Sequence, residues 1–442
     1  MKRRIKEETA IFVSVFKWVV LAVVVGIMVG VSTALFLKAL NWSIEKAGSL
    51  PDYFYLAPLA LLASYYIAKK LAPDAEGHGT EKVIEAVHKH AGKIKAAVVP
   101  VKLVTTIITL AFGGSAGKEG PCAQIGAGLA SIFARLLRLD AYDRKKLVIC
   151  GISAGFASVF GTPIAGAIFG VEVIFIGSIL YDVILPSFIA GIVSYNISTQ
   201  MGIKYLYHSF NFVPDFDRVF FFQIIIAGIF FGLCSLFFIE LLRGGKLLAQ
   251  KIKLREHFKV LFGGLLLVGI ALAFSKQYLG LGLETIASTL EGHKPVWYAF
   301  IVKMFATSIT LNFGGSGGII TPIFFVGATA GSLFGYLLHL NIALFAALGM
   351  AGVLAGAANT PIAASILAME LFGPRIAPYA AVVCIISFFI TGHRSVYPSQ
   401  VLGMKKSKNI DVEVGREIED IHPRVTRDKD ILHVIKKKFF GK

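Results

Sequence analysis

The sequence has 442 residues, of which 56% are hydrophobic and 16% charged, and its mean hydropathy is +0.72. Apolar runs long enough to cross a bilayer of about 30 Å recur along it, which excludes a water-soluble globular domain. The formal net charge of +17 comes largely from the ends and loops, a pattern typical of cytoplasmic flanks near anionic lipid and not of a nucleic-acid surface. We therefore predict an all-α polytopic protein of the cell membrane, with both termini in the cytoplasm.

The first apolar segment, at 11–40, is too long for a cleavable signal peptide and is predicted to be a membrane helix. A shorter helix is expected at 55–71, followed by a polar interruption and an apolar segment at 94–112. Lys102 falls inside that last segment, where an unpaired charge is costly. It is either a buried structural residue or a source of positive potential beside an anion path. The cysteines are expected to be small core residues: Cys122, Cys150, Cys234 and Cys384.

A glycine-rich break, F-G-G-S-A-G-K-E-G-P at 112–121, separates two apolar runs. Its glycines let the backbone turn with bare N–H groups, and Pro121 suits the first turn of a new helix. A helix N-terminus at membrane depth attracts anions, because unpaired N–H groups and the positive end of the helix dipole meet there. Glu119 would compete with a permeating anion for those donors. We interpret it as a gate, a proton acceptor or both; the alternative is a carboxylate that caps its own helix.

The segments that follow Pro121 are short and rich in glycine, and they end near positions 138, 160, 176 and 200. Such lengths predict helices that enter the membrane without crossing it. Irregular backbone between them is tolerated at membrane depth where it is buried or lines a cavity.

The second half of the sequence repeats the first. The break returns 201 positions later, at 313–322, as F-G-G-S-G-G-I-I-T-P, and T-P-I-A at 162–165 returns 198 positions later. Glu172 and Glu370 correspond at the second offset, which favours a structural role for both. Repeats interrupted by glycine and proline are typical of transporters whose substrate site lies where the two repeats meet. In this alignment Glu119 stands opposite Ile320.

These observations predict a membrane domain at 1–402, with halves at about 10–215 and 216–402, followed by a cytoplasmic tail at 403–442. Within the tail, positions 420–438 resemble the opening strand and helix of a CBS regulatory module. The segment is too short to form a complete nucleotide-binding module.

Three short motifs and one tyrosine carry a family resemblance. G-H-G-T-E at 77–81, G-K-E-G-P at 117–121 and G-I-I-T-P at 318–322 occur in this order, and Tyr397 lies near the end of the membrane domain. They resemble the G-S-G-I-P, G-R-E-G-P and G-x-F-x-P motifs and the pore tyrosine of the CLC chloride channel and transporter family. The resemblance covers essentially the whole chain. It implies an inverted repeat with many tilted, non-spanning helices, and a homodimer in which each subunit has its own anion pore.

The resemblance also implies roles for individual residues. Glu119 corresponds to the gating glutamate, and Tyr397 to the tyrosine whose hydroxyl binds the central anion. The remaining positions implied along the anion path are His78, Gly79, Thr80, Lys118, Gly120, Ile319, Ile320 and Thr321.

Several residues depart from the family pattern. His78 replaces an anion-binding serine; it either donates to the anion, with a charge that depends on pH, or turns away and caps its own helix. Glu81 replaces a proline and is expected to stabilise the helix start without touching the ion. Lys118 replaces an arginine, a mild exchange at the mouth of a path. Val173 replaces the inner glutamate that delivers cytoplasmic protons in the well-known exchangers.

Val173 weakens the case for proton coupling without excluding it, because a fluoride-transporting branch of the family also lacks that glutamate. Thr321, found where many chloride exchangers have a smaller apolar residue, is compatible with that branch. We expect chloride transport through a pore gated by Glu119, with passive conduction favoured. The alternative is proton-coupled chloride or fluoride antiport in which Glu119 carries the proton.

Enzyme and cofactor interpretations find little support. The G-K of the first break is followed by Glu119 instead of Ser or Thr, so the P-loop pattern fails. His88 and His90 have no third ligand nearby and are expected to be solvated. We therefore expect no enzymatic activity, no metal and no cofactor, with chloride or another small anion as substrate.

Overall fold

The computed structural model describes residues 2–210 and 217–425, and over these residues the chain forms sixteen α-helices. The first half contains α1 (Lys2–Gly48), α2 (Ala57–Leu71), α3 (Gly79–Lys89), α4 (Val98–Ala111), α5 (Glu119–Leu136), α6 (Ala141–Phe160), α7 (Pro163–Glu172) and α8 (Tyr181–Gln200). The second half contains α9 (Arg218–Lys251), α10 (Glu256–Ala273), α11 (Leu283–Leu290), α12 (Ala299–Asn312), α13 (Ile320–Leu337), α14 (Ile342–Ala358), α15 (Pro361–Phe372) and α16 (Ala377–Ile390).

Short strand pairs join distant parts of this helical chain. β1 (Gly77–His78) pairs in parallel with β3 (Ser316–Gly317), and β2 (Phe175–Ile176) pairs in parallel with β4 (Val401–Leu402). In the tail, β5 (Ile410–Asp411) and β6 (Arg424–Val425) are antiparallel. The first two pairs tie a loop of one half to a segment of the other.

The apolar runs become helices much as their composition predicts. The helix expected to start at position 94 begins instead at Val98, and Pro100 then falls in its first turn, where a missing N–H is harmless. α5 begins at Glu119, so Pro121 also lies in a first turn, as the break predicts. The four cysteines named above are buried and free, as expected.

The helices of the two halves match one to one, α1–α8 with α9–α16. The match extends to the caps: Asp140 accepts a hydrogen bond from the Asp143 N–H (2.8 Å) at the start of α6, and Asn341 accepts from the Leu344 N–H (2.9 Å) at the start of α14. Asp140 and Asn341 are separated by the same 201 positions as the two breaks. Equivalent helices of the two halves therefore begin at equivalent N-cap residues.

Close packing of glycines joins corresponding helix pairs. A Cβ atom on Gly126 of α5 would lie 2.3 Å from the Gly151 carbonyl oxygen of α6. A Cβ atom on Gly327 of α13 would lie 2.3 Å from the Gly349 carbonyl oxygen of α14. Small residues let backbones approach in this way in membrane helix bundles, where apolar burial alone does not drive association.

Four helices among the described residues are long and apolar enough to span a bilayer: the 6–48 part of α1, and α9, α10 and α13. Others are shorter; the ten residues of α7 rise about 15 Å, half the thickness of a hydrocarbon core. These lengths agree with the prediction of helices that enter the membrane without crossing it.

Two buried lysines hold equivalent loops. Lys102 of α4 donates from Nζ to the carbonyl oxygens of Gly77 (2.5 Å) and Ala75 (3.2 Å), just before α3. Lys303 of α12, again 201 positions later, donates to the carbonyl oxygens of Gly280 (2.8 Å) and Tyr278, just before α11. Each ammonium thus satisfies carbonyls of an irregular segment inside the protein, as the structural interpretation of Lys102 predicts.

Glu172 and Glu370 cap helices of the opposite halves. Glu172, at the end of α7, accepts hydrogen bonds from the N–H groups of Ile362 (3.1 Å) and Ala363 (2.8 Å) at the start of α15. Glu370, in α15, accepts from Ile164 (3.0 Å) and Ala165 (2.7 Å) at the start of α7. A carboxylate at a helix N-terminus satisfies unpaired donors and opposes the dipole. Both residues therefore have the structural role that the repeat favours.

The tail folds back onto the membrane domain. Val412 and Ile421 pack in one apolar cluster with Ile176, Phe388 and Leu402. The helical part of the CBS-like segment, from position 426, lies outside the described residues.

His88 is not solvated as expected, and that prediction is wrong. Its Nε2 atom lies 3.1 Å from the Ile174 carbonyl oxygen, and its ring packs edge-to-face on Phe175 with 5.0 Å between centroids. The reason is that β2 covers the end of α3, a contact that local sequence does not reveal. His90, two residues further, is exposed.

Candidate anion-binding site

Three helices begin at one place in the interior of the protein. The two breaks pair there: the Gly117 N–H donates to the Gly318 carbonyl oxygen (2.7 Å), and the Gly318 N–H donates to the Gly117 carbonyl oxygen (2.6 Å). A Cβ atom on Gly79 would lie 2.5 Å from the Gly120 carbonyl oxygen, so the start of α3 touches the start of α5. The N-termini of α3, α5 and α13 therefore converge, and their dipoles make this region favourable for negative charge.

Glu119 binds the N-terminus of α13, in the other half of the chain. Its carboxylate accepts the Thr321 N–H at 3.1 Å (to Oε2), and the Thr321 hydroxyl lies 2.6 Å from both carboxylate oxygens. The side chain is 1% exposed. These bonds lead to the N-terminus of α13 and away from the helix that Glu119 begins, so they do not support the interpretation that Glu119 caps its own helix.

Gly117 makes room for this arrangement. A Cβ atom there would lie 2.5 Å from Oε2 of Glu119 and 2.9 Å from Oγ1 of Thr321. Any larger residue would displace the carboxylate from α13, which gives a physical reason for glycine at this position.

A second group of polar atoms lies at the start of α3. Tyr397 is fully buried, and its ring centroid is 5.8 Å from that of His78. His78 Nδ1, Thr80 Oγ1 and Tyr397 Oη are buried without a well-formed hydrogen bond to any described residue. Buried polar atoms are normally paired, so this cluster has spare capacity to bind a small ligand. His78 makes no side-chain cap to α3, which leaves the capping alternative without support.

The other residues implied by the family resemblance either contribute backbone atoms near the site or lie at its edge. Ile319 is the N-cap of α13 and Ile320 its first residue, and both are buried. Lys118 is the N-cap of α5, with a partly exposed side chain. Among the contacts of the described residues, none places the Lys118 side chain at the site.

The sequence did not predict the partners of two supporting residues, Lys102 and Glu81. Lys102 holds the carbonyl of Gly77, one residue before His78, and its repeat partner Lys303 at the common offset was the signal that could have revealed this role. Glu81 accepts hydrogen bonds from the N–H (3.0 Å) and hydroxyl (2.6 Å) of Ser399, two residues after Tyr397. The expectation that Glu81 acts on the start of its own helix missed this contact, because the partner is 318 positions away.

The model of the family described as voltage gated chloride channel matches residues 59–392. The chain belongs to this family. A CLC protein is an all-α membrane protein that transports anions, and the two homologous halves and the glycine-rich breaks described above agree with membership of this family.

Two relatives and one solved structure extend the match over nearly the whole CLC domain. The chloride/fluoride channel protein of Pseudomonas syringae pv. tomato is 34% identical over 92% of this chain and 91% of its own. The H(+)/Cl(-) exchange transporter ClcA of Klebsiella pneumoniae is 27% identical over 79% and 80%. The crystal structure of a CLC-type fluoride/proton antiporter superposes with a TM-score of 0.83 at 28% identity, covering 88% of this chain and 98% of that one. Two of these three proteins are named as exchangers, which favours the antiport alternative over passive conduction.

Proposed function

We propose that this CLC protein exchanges a small halide for protons, with fluoride as the favoured anion and Glu119 as the proton carrier. The 34% identical relative is named for chloride and fluoride, and the fluoride/proton antiporter is similar in both sequence and fold. Val173 does not oppose this proposal, because a proton can reach Glu119 without a carboxylate at that position. Chloride, the anion in the name of the ClcA relative, is the second candidate.

The observation that carries the proposal is the bond between Glu119 and the N-terminus of α13. Hydrogen bonds to an ionised group contribute about 1.5–3 kcal/mol each, more than bonds to a neutral one. Protonation removes the charge that the helix terminus favours, so the carboxyl group leaves and an anion takes the same donors. Because carboxylate and anion exclude each other, a proton and an anion move in alternation, which is the basis of coupled exchange.

The cluster of Tyr397, Thr80 and His78, at the start of α3, binds the anion. All three offer neutral donors, the kind of site that binds an anion firmly enough to select it and weakly enough to release it. Selectivity then depends on the number and spacing of these donors.

The assembly we propose is a homodimer with one pore in each subunit, embedded in the cell membrane with both termini in the cytoplasm. The basic segments at the two ends of the chain support this orientation.

Flux measurements in proteoliposomes test the proposal. Vesicles loaded with fluoride, or with chloride in a parallel set, are placed in anion-free medium without a pH gradient, and anion and proton movements are recorded together with ion-selective and pH electrodes. We expect uphill proton movement driven by anion efflux, abolished by a protonophore and faster with fluoride.

Glu119→Gln is the matched variant, because it keeps the size of the side chain and removes its titration. It should lose proton movement and retain anion flux. Rapid anion efflux without any proton movement in the wild type would make the protein a passive channel, and proton pumping by Glu119→Gln would remove Glu119 from the mechanism.

A further inference from the structure

Glu81 is a second carboxylate beside the anion path, and the proposed mechanism does not use it. It occupies the third position of α3, where a glutamate ordinarily caps its own helix by bonding back to the N-cap residue. Here Oε1 instead accepts two hydrogen bonds from Ser399, and Oε2 is buried without a partner among the described residues. The carboxylate is therefore held beside the path with one oxygen uncommitted.

Ser399 places Glu81 next to the segment that carries Tyr397. Ser399 lies two residues beyond Tyr397 and donates to Glu81, and the Tyr397 ring centroid lies 5.8 Å from that of His78 at the start of α3. The start of α3 also touches the start of α5, which begins at Glu119. Glu81 is therefore close to the cluster that binds the anion in the proposed function.

The same C-terminal segment also contacts Val173, the position where the family resemblance places the inner proton-delivering glutamate. The Gln400 side-chain amide donates to the Val173 carbonyl oxygen (2.8 Å), while its neighbour Ser399 binds Glu81. Glu81 and Val173 therefore contact adjacent residues of one segment. Of these two positions, 173 carries an apolar residue and 81 an ionisable one.

α3 connects Glu81 to the face of the protein that carries the tail. Lys89, in the last turn of α3, forms an ion pair with Glu417 of the tail at 2.9 Å. The Glu81 residue itself is partly exposed although Oε2 is enclosed. The Glu81 residue is therefore accessible to protons from solvent.

We infer that Glu81 is the inner proton-transfer residue of this protein. It replaces the proton-delivering glutamate that the family resemblance places at position 173, where this chain has a valine. Its uncommitted oxygen accepts a proton from the tail side of the membrane, and the proton passes through the region of Tyr397 to the Glu119 carboxylate when that group releases α13. Each cycle returns Glu81 to its ionised form, held by Ser399. This inference rests on the proposed proton-coupled exchange.

The charged and titratable groups around Glu81 are few. On its own helix they are Lys82 and Glu85, which form an ion pair with each other at 2.9 Å. From the C-terminal segment, Ser399 donates two hydrogen bonds to Glu81, two residues after the titratable Tyr397. Glu85 is consequently the matched control, because it is a glutamate on the same helix and its carboxylate is paired with Lys82.

The test compares Glu81→Gln, Glu81→Asp and Glu85→Gln in proteoliposomes under an outward fluoride gradient, with fluoride and pH electrodes read together. Glu81→Gln should lower the ratio of protons to anions at least about 10-fold and leave anion efflux within about 3-fold of the wild type. Glu81→Asp should restore part of the proton movement, and Glu85→Gln should match the wild type. A wild-type ratio in Glu81→Gln would overturn the inference and leave the proposed function intact. Absence of proton movement in the wild type itself would overturn both.

Ser399→Ala provides a second test that keeps the carboxylate, in case Glu81→Gln does not fold. It removes one of the two donors to ionised Glu81, so the pH at which proton flux is half-maximal should rise by about half a pH unit. An unchanged pH profile would overturn the inference, since a merely structural contact would alter stability without moving the profile.

Discussion

At the scale of single residues, the candidate site combines one carboxylate with several neutral donors. Glu119 is held by Thr321, whereas the hydroxyl of Tyr397 is buried without a well-formed bond to any described residue. A buried polar group without a protein partner is unfavourable unless a ligand pairs with it. The Tyr397 hydroxyl should therefore contribute measurably to anion affinity.

Replacing Tyr397 with phenylalanine removes this hydroxyl and little else. One hydrogen bond contributes about 0.5–1.5 kcal/mol, so the dissociation constant for fluoride or chloride should rise about 2–10-fold by titration calorimetry. Tyr278→Phe is the control, because that hydroxyl is likewise buried and unpaired among the described residues but lies in the loop before α11. Equal affinities in wild type and Tyr397→Phe would exclude Tyr397 from the binding cluster.

At the scale of elements, the two halves contain equivalent lysines and equivalent helix starts that have different roles. Lys102 and Lys303 each support the loop that precedes a short helix, but the loop at Lys102 leads to His78 and α3, whereas the loop at Lys303 leads to α11. Likewise α5 begins with Glu119 and α13 with Ile320. The two halves thus share one scaffold. The carboxylate and the imidazole of the candidate site, on Glu119 and His78, both lie in the first half.

This difference predicts different effects of equivalent substitutions. Lys102→Met and Lys303→Met each leave buried carbonyls without a donor, so each should destabilise the protein by about 1–3 kcal/mol, seen as a lower melting temperature in detergent. Lys102→Met should also weaken anion binding, because the loop that it holds leads directly to His78 and Thr80 of the proposed binding cluster. If both variants bind anions like the wild type, the Lys102 contact is structural alone.

At the scale of the whole molecule, the part of the tail that the structure describes is packed against the membrane domain. Ile421 is 7% exposed in the cluster with Phe388 and Leu402, whereas Val425 is 80% exposed. The tail also reaches α3 through the ion pair of Glu417 with Lys89. Exposed ion pairs contribute about 1 kcal/mol or less, so the apolar cluster is the stronger attachment.

Replacing Ile421 with aspartate should therefore release the tail. Burying an unpaired carboxylate in an apolar cluster is unfavourable, and we expect limited trypsin digestion to cleave at Lys405–Lys408 at least about 5-fold faster than in the wild type. Val425→Asp changes an exposed residue and should be cut at the wild-type rate. Equal cleavage of both variants would show that the cluster does not hold the tail.

Much of this architecture was predictable because it depends on local patterns and on their repetition. Pro121 and the glycines of the first break predicted where α5 begins, and the second break predicted α13. The chemistry was less predictable. Passive conduction was the favoured prediction because Val173 lacks a carboxylate, whereas the related exchangers favour coupled antiport. Glu81 was expected to stabilise the start of its helix, because nothing near it in sequence indicates Ser399.

The sequence by itself determined that this is a membrane protein of two homologous halves with a carboxylate in one glycine-rich break, since composition and repeats are properties of the chain alone. The tertiary structure decided which groups meet. Glu119 bonds to Thr321 across 202 positions, and Glu81 bonds to Ser399 across 318. These contacts form because packing of the two halves brings helix N-termini and loops together, and a hydrogen bond depends on distances that no local pattern specifies.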